Sequence, residues 1–564
     1  MEEFTFGTLA TDELKLVHHR ATRRGLQHGH SLMPRDPPPG QPVTLTVSAG
    51  PGLAVDHMAC YYTLDGSEPA GDRGVASNGQ VLMLEPASAV WDTLVWGYLS
   101  LWQGTLPAQP EGIIVRYRIG AWVGEGPETF ADWPEVKAAV EEAAAAFFRG
   151  EPALPALSKA GGPAPRSHLG PALRSYSGPA PHGAPGDPDR GHTFAVGVDR
   201  LRPPAWAREA VLYHIFVDRF YPGTGRDWLQ TSDLLDFCGG TLWGIAEKMS
   251  HVADLGATCL WLSPIFPSST HHGYDAVDLY RIEPRLGGDE ALRAVVDEAH
   301  GRGIRVVLDF VCNHVSNQHP IFQDARSNPS SPYRHWFTFD DSEIGYRTYF
   351  GVRRMPEVNV ANPEARNWLI DAARFWLREF DVDGYRLDHA NGPGPDFWTD
   401  FWTACKAEKP DSFCFGEVVD APDIQRTYAG RLDGCLDFLT ADALRRTFAS
   451  GRWTEEYLGS LLDRHLGSCP DNFLMPTFLD NHDMDRFLYL ARGDKEALRR
   501  AAAVQMRLPA PPIIYYGTEI GLNQSISIRD GSGMHVNRVP MVWGAEQDRE
   551  LLAHYQALIQ VRRV

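Results

Sequence analysis

Eight short apolar runs between residues 211 and 519 constrain this 564-residue chain more than any other feature. They read VLYHIFVDRF, ATCLWLSPIF, IRVVLDFVCNH, VDGYRLDH, SFCFGEVV, LDFL, FLMPTFLDNH and PPIIYYGTE. Most are separated by an amphipathic helical stretch such as LRAVVDEAHGRG or ARNWLIDAARFWLREF. Strands covered on both faces of a parallel sheet are near-continuous in apolar residues, as these are. Eight β/α repeats within residues 201–564 predict an α/β fold, a (β/α)8 TIM barrel. One connection is long. Roughly 45 residues, 315–360, follow the third run before the next helix, which predicts a short subdomain inserted on the catalytic face.

The N-terminal part has a different pattern. PVTLTVSAG and IIVRYRIGAW alternate between apolar and polar residues, with turn signals about every ten residues, which predicts an all-β sandwich domain within residues 1–150. Of its aromatics, Tyr61, Tyr62, Trp91, Trp96, Tyr98, Trp102, Tyr117 and Trp122, most are expected to pack the sandwich core; a sugar-binding platform is the other reading. Residues 136–148 form an Ala/Glu-rich helical stretch. Residues 151–190 hold nine Pro and six Gly. A span so rich in both reads as a Pro/Gly linker, placed at 151–200.

The net charge of −19 disfavours phosphate backbones and anionic lipid, so neither nucleic acid nor a membrane is expected as a partner. No apolar run approaches the ~18 residues of a membrane span, and the N-terminus lacks a leader pattern. The eight cysteines never form Cys-x-x-Cys and several sit inside apolar runs, so they read as buried reduced thiols rather than a disulfide framework or zinc site. The expected location is cytoplasmic.

Barrel active sites lie at the C-terminal strand ends. There the sequence places Tyr274 and Asp275 after the second run, Asp309, Asn313 and His314 at the third, Arg386 and Asp388 at the fourth, Glu417 at the fifth, and Asn481, His482 and Asp483 at the seventh. One such carboxylate could be a helix cap. Three from three strands, with an arginine and two histidines, point to a site. Carboxylates around a neutral substrate suggest glycoside chemistry, in which a retaining enzyme uses a nucleophile and a protonated acid about 5–5.5 Å apart. Arg386, two residues before Asp388, shares its strand face and would hold it ionised. Glu417 would need a raised pKa to donate a proton.

Several motifs occur in order: Asp309-x-x-x-Asn313-His314, Gly384-Tyr385-Arg386-Leu387-Asp388, Gly416-Glu417, Phe478-Leu479-Asp480-Asn481-His482-Asp483, with His272-Gly273-Tyr274-Asp275 and Met355-Pro356-Glu357-Val358-Asn359. Each string is weak alone, but the ordered set closely resembles the α-amylase family of glycoside hydrolases (family thirteen), over about 350 residues of barrel. The resemblance implies Asp388 as nucleophile, Glu417 as general acid/base and Asp483 as transition-state stabiliser. It implies that Arg386, His314 and His482 hold the sugar, Tyr274 stacks beneath it, and Asp275 and Arg486 meet its non-reducing end. The N-terminal β domain and the inserted subdomain are similar to the neopullulanase, cyclomaltodextrinase and maltogenic amylase group. That similarity implies hydrolysis of α-1,4 or α-1,6 bonds in maltodextrins, cyclodextrins or pullulan, and a homodimer through the N-terminal domain. The rival readings are a glucanotransferase of the same family and a non-catalytic sugar-binding barrel.

The sequence departs from that group in four places. His389-Ala390-Asn391-Gly392 replaces Val-Ala-Asn-Glu after the nucleophile, Val418-Val419 replaces a Trp beside the general acid, and Glu357 stands where Lys is common. The chain also stops at Arg562-Arg563-Val564, so the family's usual C-terminal β domain is expected to be missing. No cofactor is expected. Asn313 occupies a calcium-ligating position of some members, but residues 218–223 lack the oxygen-rich cluster of a calcium cage, so no metal is assigned.

Overall fold

The computed structural model describes residues 12–132, 191–231, 233–530 and 535–563. Eight parallel strands form one sheet: β1 (Leu212–Ile215), β2 (Cys259–Leu262), β3 (Arg305–Val311), β4 (Gly384–Asp388), β5 (Phe413–Gly416), β6 (Gly434–Cys435), β7 (Thr477–Phe478) and β8 (Pro512–Tyr515). Their order is β6-β5-β4-β3-β2-β1-β8-β7. The ring closes where Gly434 of β6 pairs in parallel with Leu474, just ahead of β7. Helices such as Gly288–His300, Pro363–Glu379, Gly394–Glu408, Lys495–Gln505 and Arg549–Arg562 alternate with the strands. This is the expected α/β barrel.

Strand alternation divides the side chains between two cores. Leu212, Cys259, Trp261, Val307, Phe413 and Phe415 pack inside the ring. Their neighbours Tyr213, Leu260, Leu262, Leu308, Tyr385, Leu387 and Cys414 pack outward against the helices. Arg386 and Asp388 therefore lie on the inner face, two residues apart, as their spacing predicts. Gly384 starts that strand at φ +139°, and a Cβ there would overlap the Phe413 carbonyl of β5, so only glycine fits.

Two strand readings need correction. The run Leu436–Leu439 follows β6 rather than forming it. Asp437 accepts the Thr440 N–H and caps the helix Phe438–Leu444, which turns the chain out of the sheet. In the seventh run only Thr477–Phe478 is extended. The connection after β3 carries the short helix Pro320–Ser327 and folds back through antiparallel bridges Phe337–Val358, Phe339–Tyr346 and Thr348–Pro356 around Phe322.

The N-terminal strands are antiparallel. Val43–Ala49 pairs with Gly97–Leu106, which pairs with the second half of Gln80–Asp92, while His57–Thr63, Ile113–Trp122 and the first half of Gln80–Asp92 form the other side. A register shift between Pro86 and Ser88 lets one long strand serve both. Leu45, Val47, Met58, Tyr117, Ile119 and Phe194 pack between them. Phe194–Val198, read as the end of the linker, is instead a fully buried strand pairing with residues 113–117. Its apolar residues complete the core, so the linker boundary at 200 is corrected. The helical stretch 136–148 and the Pro/Gly-rich residues 151–190 lie outside the described residues. Tyr61, Tyr62, Trp102, Tyr117 and Trp122 are buried, whereas Trp91, Trp96 and Tyr98 are exposed, with Trp91 5.5 and 5.2 Å from the other two rings. All eight cysteines are free thiols and seven are buried. Among the described residues no helix is long and apolar enough to cross a membrane.

Candidate active site

Strand register builds the centre of the site. In the parallel ladder Asp309 is paired with Arg386 and Val311 with Asp388, while Leu387 is paired with Gly416, the residue before Glu417. Arg386 is fully buried and reaches three carboxylates. Its Nη1 donates to Asp309 Oδ1 and Oδ2 at 2.9 and 3.1 Å and to Asp388 Oδ1 at 2.8 Å. Its Nη2 lies 2.8 Å from Glu417 Oε1. The Glu417 Oε2 accepts the backbone N–H of His389 at 3.1 Å.

Asp309 does more than the sequence signals. It accepts from Tyr274 Oη at 3.0 Å and Trp261 Nε1 at 3.2 Å as well as from Arg386. It therefore orients both the arginine and the tyrosine. Burial, with Asp388 adding to it against Arg386, pushes the Asp309 carboxyl up to about 7.

Beyond β7, His482 Nε2 lies 2.9 Å from Asp483 Oδ2 and 2.5 Å from Tyr274 Oη, with the two rings stacked at 5.4 Å. Arg538, in the segment after β8, donates from Nη2 to Asp483 Oδ1 at 2.8 Å and from Nε to the His482 carbonyl at 2.8 Å.

The environments of Glu417 and Asp483 differ in sign. Burial pushes the Glu417 carboxyl up to about 8, with Asp388 and Asp483 acting in the same direction and Arg386 against. Burial also opposes ionisation of Asp483, but His482, Arg538 and Arg386 outweigh it and hold the carboxyl well below its ordinary range. Burial lowers His482, and it lowers His314 to about 4 despite the opposing pull of Asp388, so both imidazoles are neutral near pH 7. A proton-holding carboxyl near a strongly ionised one is a pattern that general acid catalysis requires.

The structure thus brings together Asp388, Glu417, Asp483, Arg386, His482, Tyr274 and His314. It does not bring in Asp275 or Arg486. Asp275 is fully buried, and its carboxylate accepts from the hydroxyls of Ser268, Ser269 and Thr270. Arg486 is fully buried and donates to the carbonyls of Asn537 and Tyr516 at 2.9 and 3.0 Å. Both brace loops below the site. Arg538, the arginine that meets Asp483, follows no apolar run and belongs to no motif, so the sequence carries no signal for it. Near Glu417, the His389 ring meets those of Tyr349 and Phe350 at 5.0 and 5.3 Å, forming an aromatic wall where Val418-Val419 left none expected.

The residues after β1 do not fit a calcium ion. The two oxygens of Asp218 accept backbone N–H from Cys238 and Gly239 at 2.8 and 3.0 Å, and Arg219 lies 3.3 Å away. A cation would have to displace those amides and sit beside a guanidinium.

Fold and site together define a (β/α)8 barrel with a carboxylate triad at the carboxyl ends of its strands. The chain belongs to the α-amylase family: the family pattern "Alpha amylase, catalytic domain" matches residues 214–348 and 338–561. It is 40% identical over 371 residues to "Alpha-amylase 2" of Dictyoglomus thermophilum, covering 65% of each chain. It is 33% identical over 387 residues to "Intracellular maltogenic amylase" of Bacillus subtilis, covering 66% of this chain and 64% of that one. The chain thus spans slightly less than two thirds of the length of these curated relatives. Among solved structures, the cyclic α-maltosyl-(1→6)-maltose hydrolase from Arthrobacter globiformis matches with a TM-score of 0.60 at 31% identity, over 64% of this chain and 84% of that one.

Proposed function

We propose that this chain is a retaining α-glucan hydrolase acting on α-1,4, and also α-1,6, glucosidic bonds of maltodextrins, cyclodextrins or pullulan. The observation that carries the reading is the Arg386 cluster, in which one guanidinium serves Asp309, Asp388 and Glu417 while the Glu417 carboxyl is raised to about 8. Asp388 attacks the anomeric carbon as Glu417 gives its proton to the departing glycosidic oxygen, leaving a β-glucosyl ester. Glu417, now ionised, takes a proton from water as that water attacks the same carbon, and Asp388 is released with net retention. Asp483, held ionised by Arg538, stabilises the oxocarbenium-like charge. Tyr274, His314 and His482 contact the sugar. The chemistry uses protein carboxylates and no cofactor.

The maltogenic amylase and the cyclic maltosyl-maltose hydrolase named above support the substrate class. The name of the Bacillus relative and the free, mostly buried thiols support a cytoplasmic location. The exposed Trp91–Trp96–Tyr98 cluster supports a homodimer through the N-terminal sheet. Sedimentation at micromolar concentration tests it, and a strictly monomeric species overturns that part.

Replacing Asp388 with Ala is expected to lower maltotriose turnover by at least about 10⁴-fold, and substantial residual turnover overturns the assignment. A time course with maltotriose, a cyclodextrin and pullulan side by side reads linkage preference. The aromatic wall of Tyr349, Phe350 and His389 beside the general acid favours a second reading, transfer to a bound sugar. Longer chains appearing early at high maltodextrin concentration would support it.

A further inference from the structure

Away from the catalytic cleft, where the N-terminal sheet meets the barrel, three side chains far apart in sequence converge. His30 lies in the turn after Leu26–Gln27, His192 stands two residues before the strand Phe194–Val198, and Asp396 is in the first turn of the helix Gly394–Glu408. The Nε2 atoms of His30 and His192 lie 2.8 and 2.6 Å from the same oxygen, Asp396 Oδ2. The three candidate ligand atoms all lie within 4.8 Å of one another. The other carboxylate oxygen is already occupied, accepting the Ala195 N–H at 2.6 Å, which fixes the carboxylate and presents Oδ2 to both imidazoles. The Phe194 ring stands 5.3 and 4.8 Å from the two imidazole centroids and forms an apolar wall. His30 and Asp396 are buried, while His192 is partly open, leaving a path for water.

As a purely hydrogen-bonded cluster, this arrangement needs both Nε2 atoms protonated and donating to one oxygen. A cation changes that requirement. Zinc-class ions take imidazole nitrogen and carboxylate oxygen at about 2.0–2.2 Å in a tetrahedral shell, so drawing each nitrogen roughly 0.5–1 Å farther from the oxygen would admit one between them. Two nitrogens to one oxygen is a poor set for calcium or magnesium and a good one for a borderline transition ion. The apolar wall and the amide-pinned carboxylate are the kind of outer support that fixes ligands at metal sites.

We propose that His30, His192 and Asp396 form a binding site for a divalent transition cation of the zinc class, with water completing its shell, that staples the N-terminal sheet to the barrel. The ion takes no part in glycoside chemistry, and the inference stands apart from the proposed function. The full chain, stripped with chelator and dialysed, is titrated with Zn²⁺ by calorimetry and with Co²⁺ by its visible absorption bands. One ion per chain is expected, with Zn²⁺ raising the thermal unfolding midpoint. His192→Ala, at a partly open position, is expected to keep its circular dichroism yet lose at least about tenfold in affinity and lose the Zn²⁺-dependent rise in midpoint. His30→Gln serves as a second variant with the same expectation. No stoichiometric binding to the wild-type chain, which would mean a hydrogen-bonded latch only, overturns the proposal. So does binding that both variants leave unchanged.

Discussion

Glu417, buried, and Asp483, partly open, are carboxyls of one site, yet their neighbours drive them apart, and that difference sets the pH behaviour. The Glu417 carboxyl, raised to about 8, holds its proton at neutral pH and loses it as pH rises through that value, as the proposed general acid requires. The alkaline limb of kcat/KM is therefore expected near pH 8. Glu417→Gln should lower kcat on maltotriose by about 10³-fold and abolish that limb, while an aryl glucoside with a good leaving group is spared most of the loss in bond cleavage. A pH–rate profile of the variant that keeps the limb would assign it to another group. Arg538 works on the opposite side. Without its guanidinium the Asp483 carboxyl rises, so Arg538→Ala should move the acid limb upward and lower kcat/KM at pH 7 by about 10²-fold. The residue scale is also where the sequence is read unevenly. Arg386 and Asp388 were legible because period-two alternation puts them on one face of one strand. Arg538 was not, because a loop residue acquires its partner only from the fold. Asp275 sits within a family motif and Arg486 three residues past one, but their acceptors and donors are consumed by neighbouring loops, a fact no linear pattern encodes.

At the level of elements, β4 shows how one strand is fixed in place. Asp383, at its start, accepts from Val306 N at 2.8 Å, His300 Nε2 at 2.7 Å, Arg305 Nη1 at 2.8 Å and Lys409 Nζ at 3.0 Å. It thereby ties β4 to β3 and to the helices on either side. Burial opposes its ionisation, but His300, Lys409, the Val306 amide and Arg305 prevail and lower the carboxyl from 3.8 to about 2. A group depressed in the folded state contributes stability above its unfolded pKa and loses it as pH falls through the folded one. That contribution is roughly 2 kcal/mol at neutral pH. Asp383→Asn should accordingly lower the urea midpoint at pH 7, with the gap to wild type narrowing between about pH 4 and pH 2. A gap independent of pH would place the effect in packing. The strands most legible in the sequence were those with four or more apolar residues, such as β2, β3 and β8. Of the two-residue strands, β6 was misplaced and β7 was read too long, because their flanking apolar residues serve a helix start and a strand exit. The long insert was legible only as length, because its bridges join residues that share no local period.

Taken whole, the molecule is a sheet-rich unit seated on a barrel, and its integrity depends on polar contacts at the joint. Asp400, on the barrel helix Gly394–Glu408, receives Arg116 Nη2 from the sheet on both oxygens at 2.9 Å and Arg366 Nη1 from the neighbouring helix at 3.1 Å. Arg431 reaches from the barrel to the Ala195 carbonyl at 3.0 Å. Both arginines that meet Asp400 are largely buried. Removing the carboxylate leaves two cations facing each other with little water between them, a cost of about 2–3 kcal/mol borne mainly by the joint. Sheet and barrel each have their own apolar core, so they can unfold separately once that joint weakens. The wild-type chain is expected to unfold in one calorimetric transition. Asp400→Ala should split it, the lower transition belonging to the sheet, while kcat on maltotriose at 25 °C stays within twofold because Asp400 touches none of the catalytic carboxylates. A single transition merely shifted downward would mean that the apolar contact between the two units, rather than the arginine–carboxylate cluster, transmits the cooperativity.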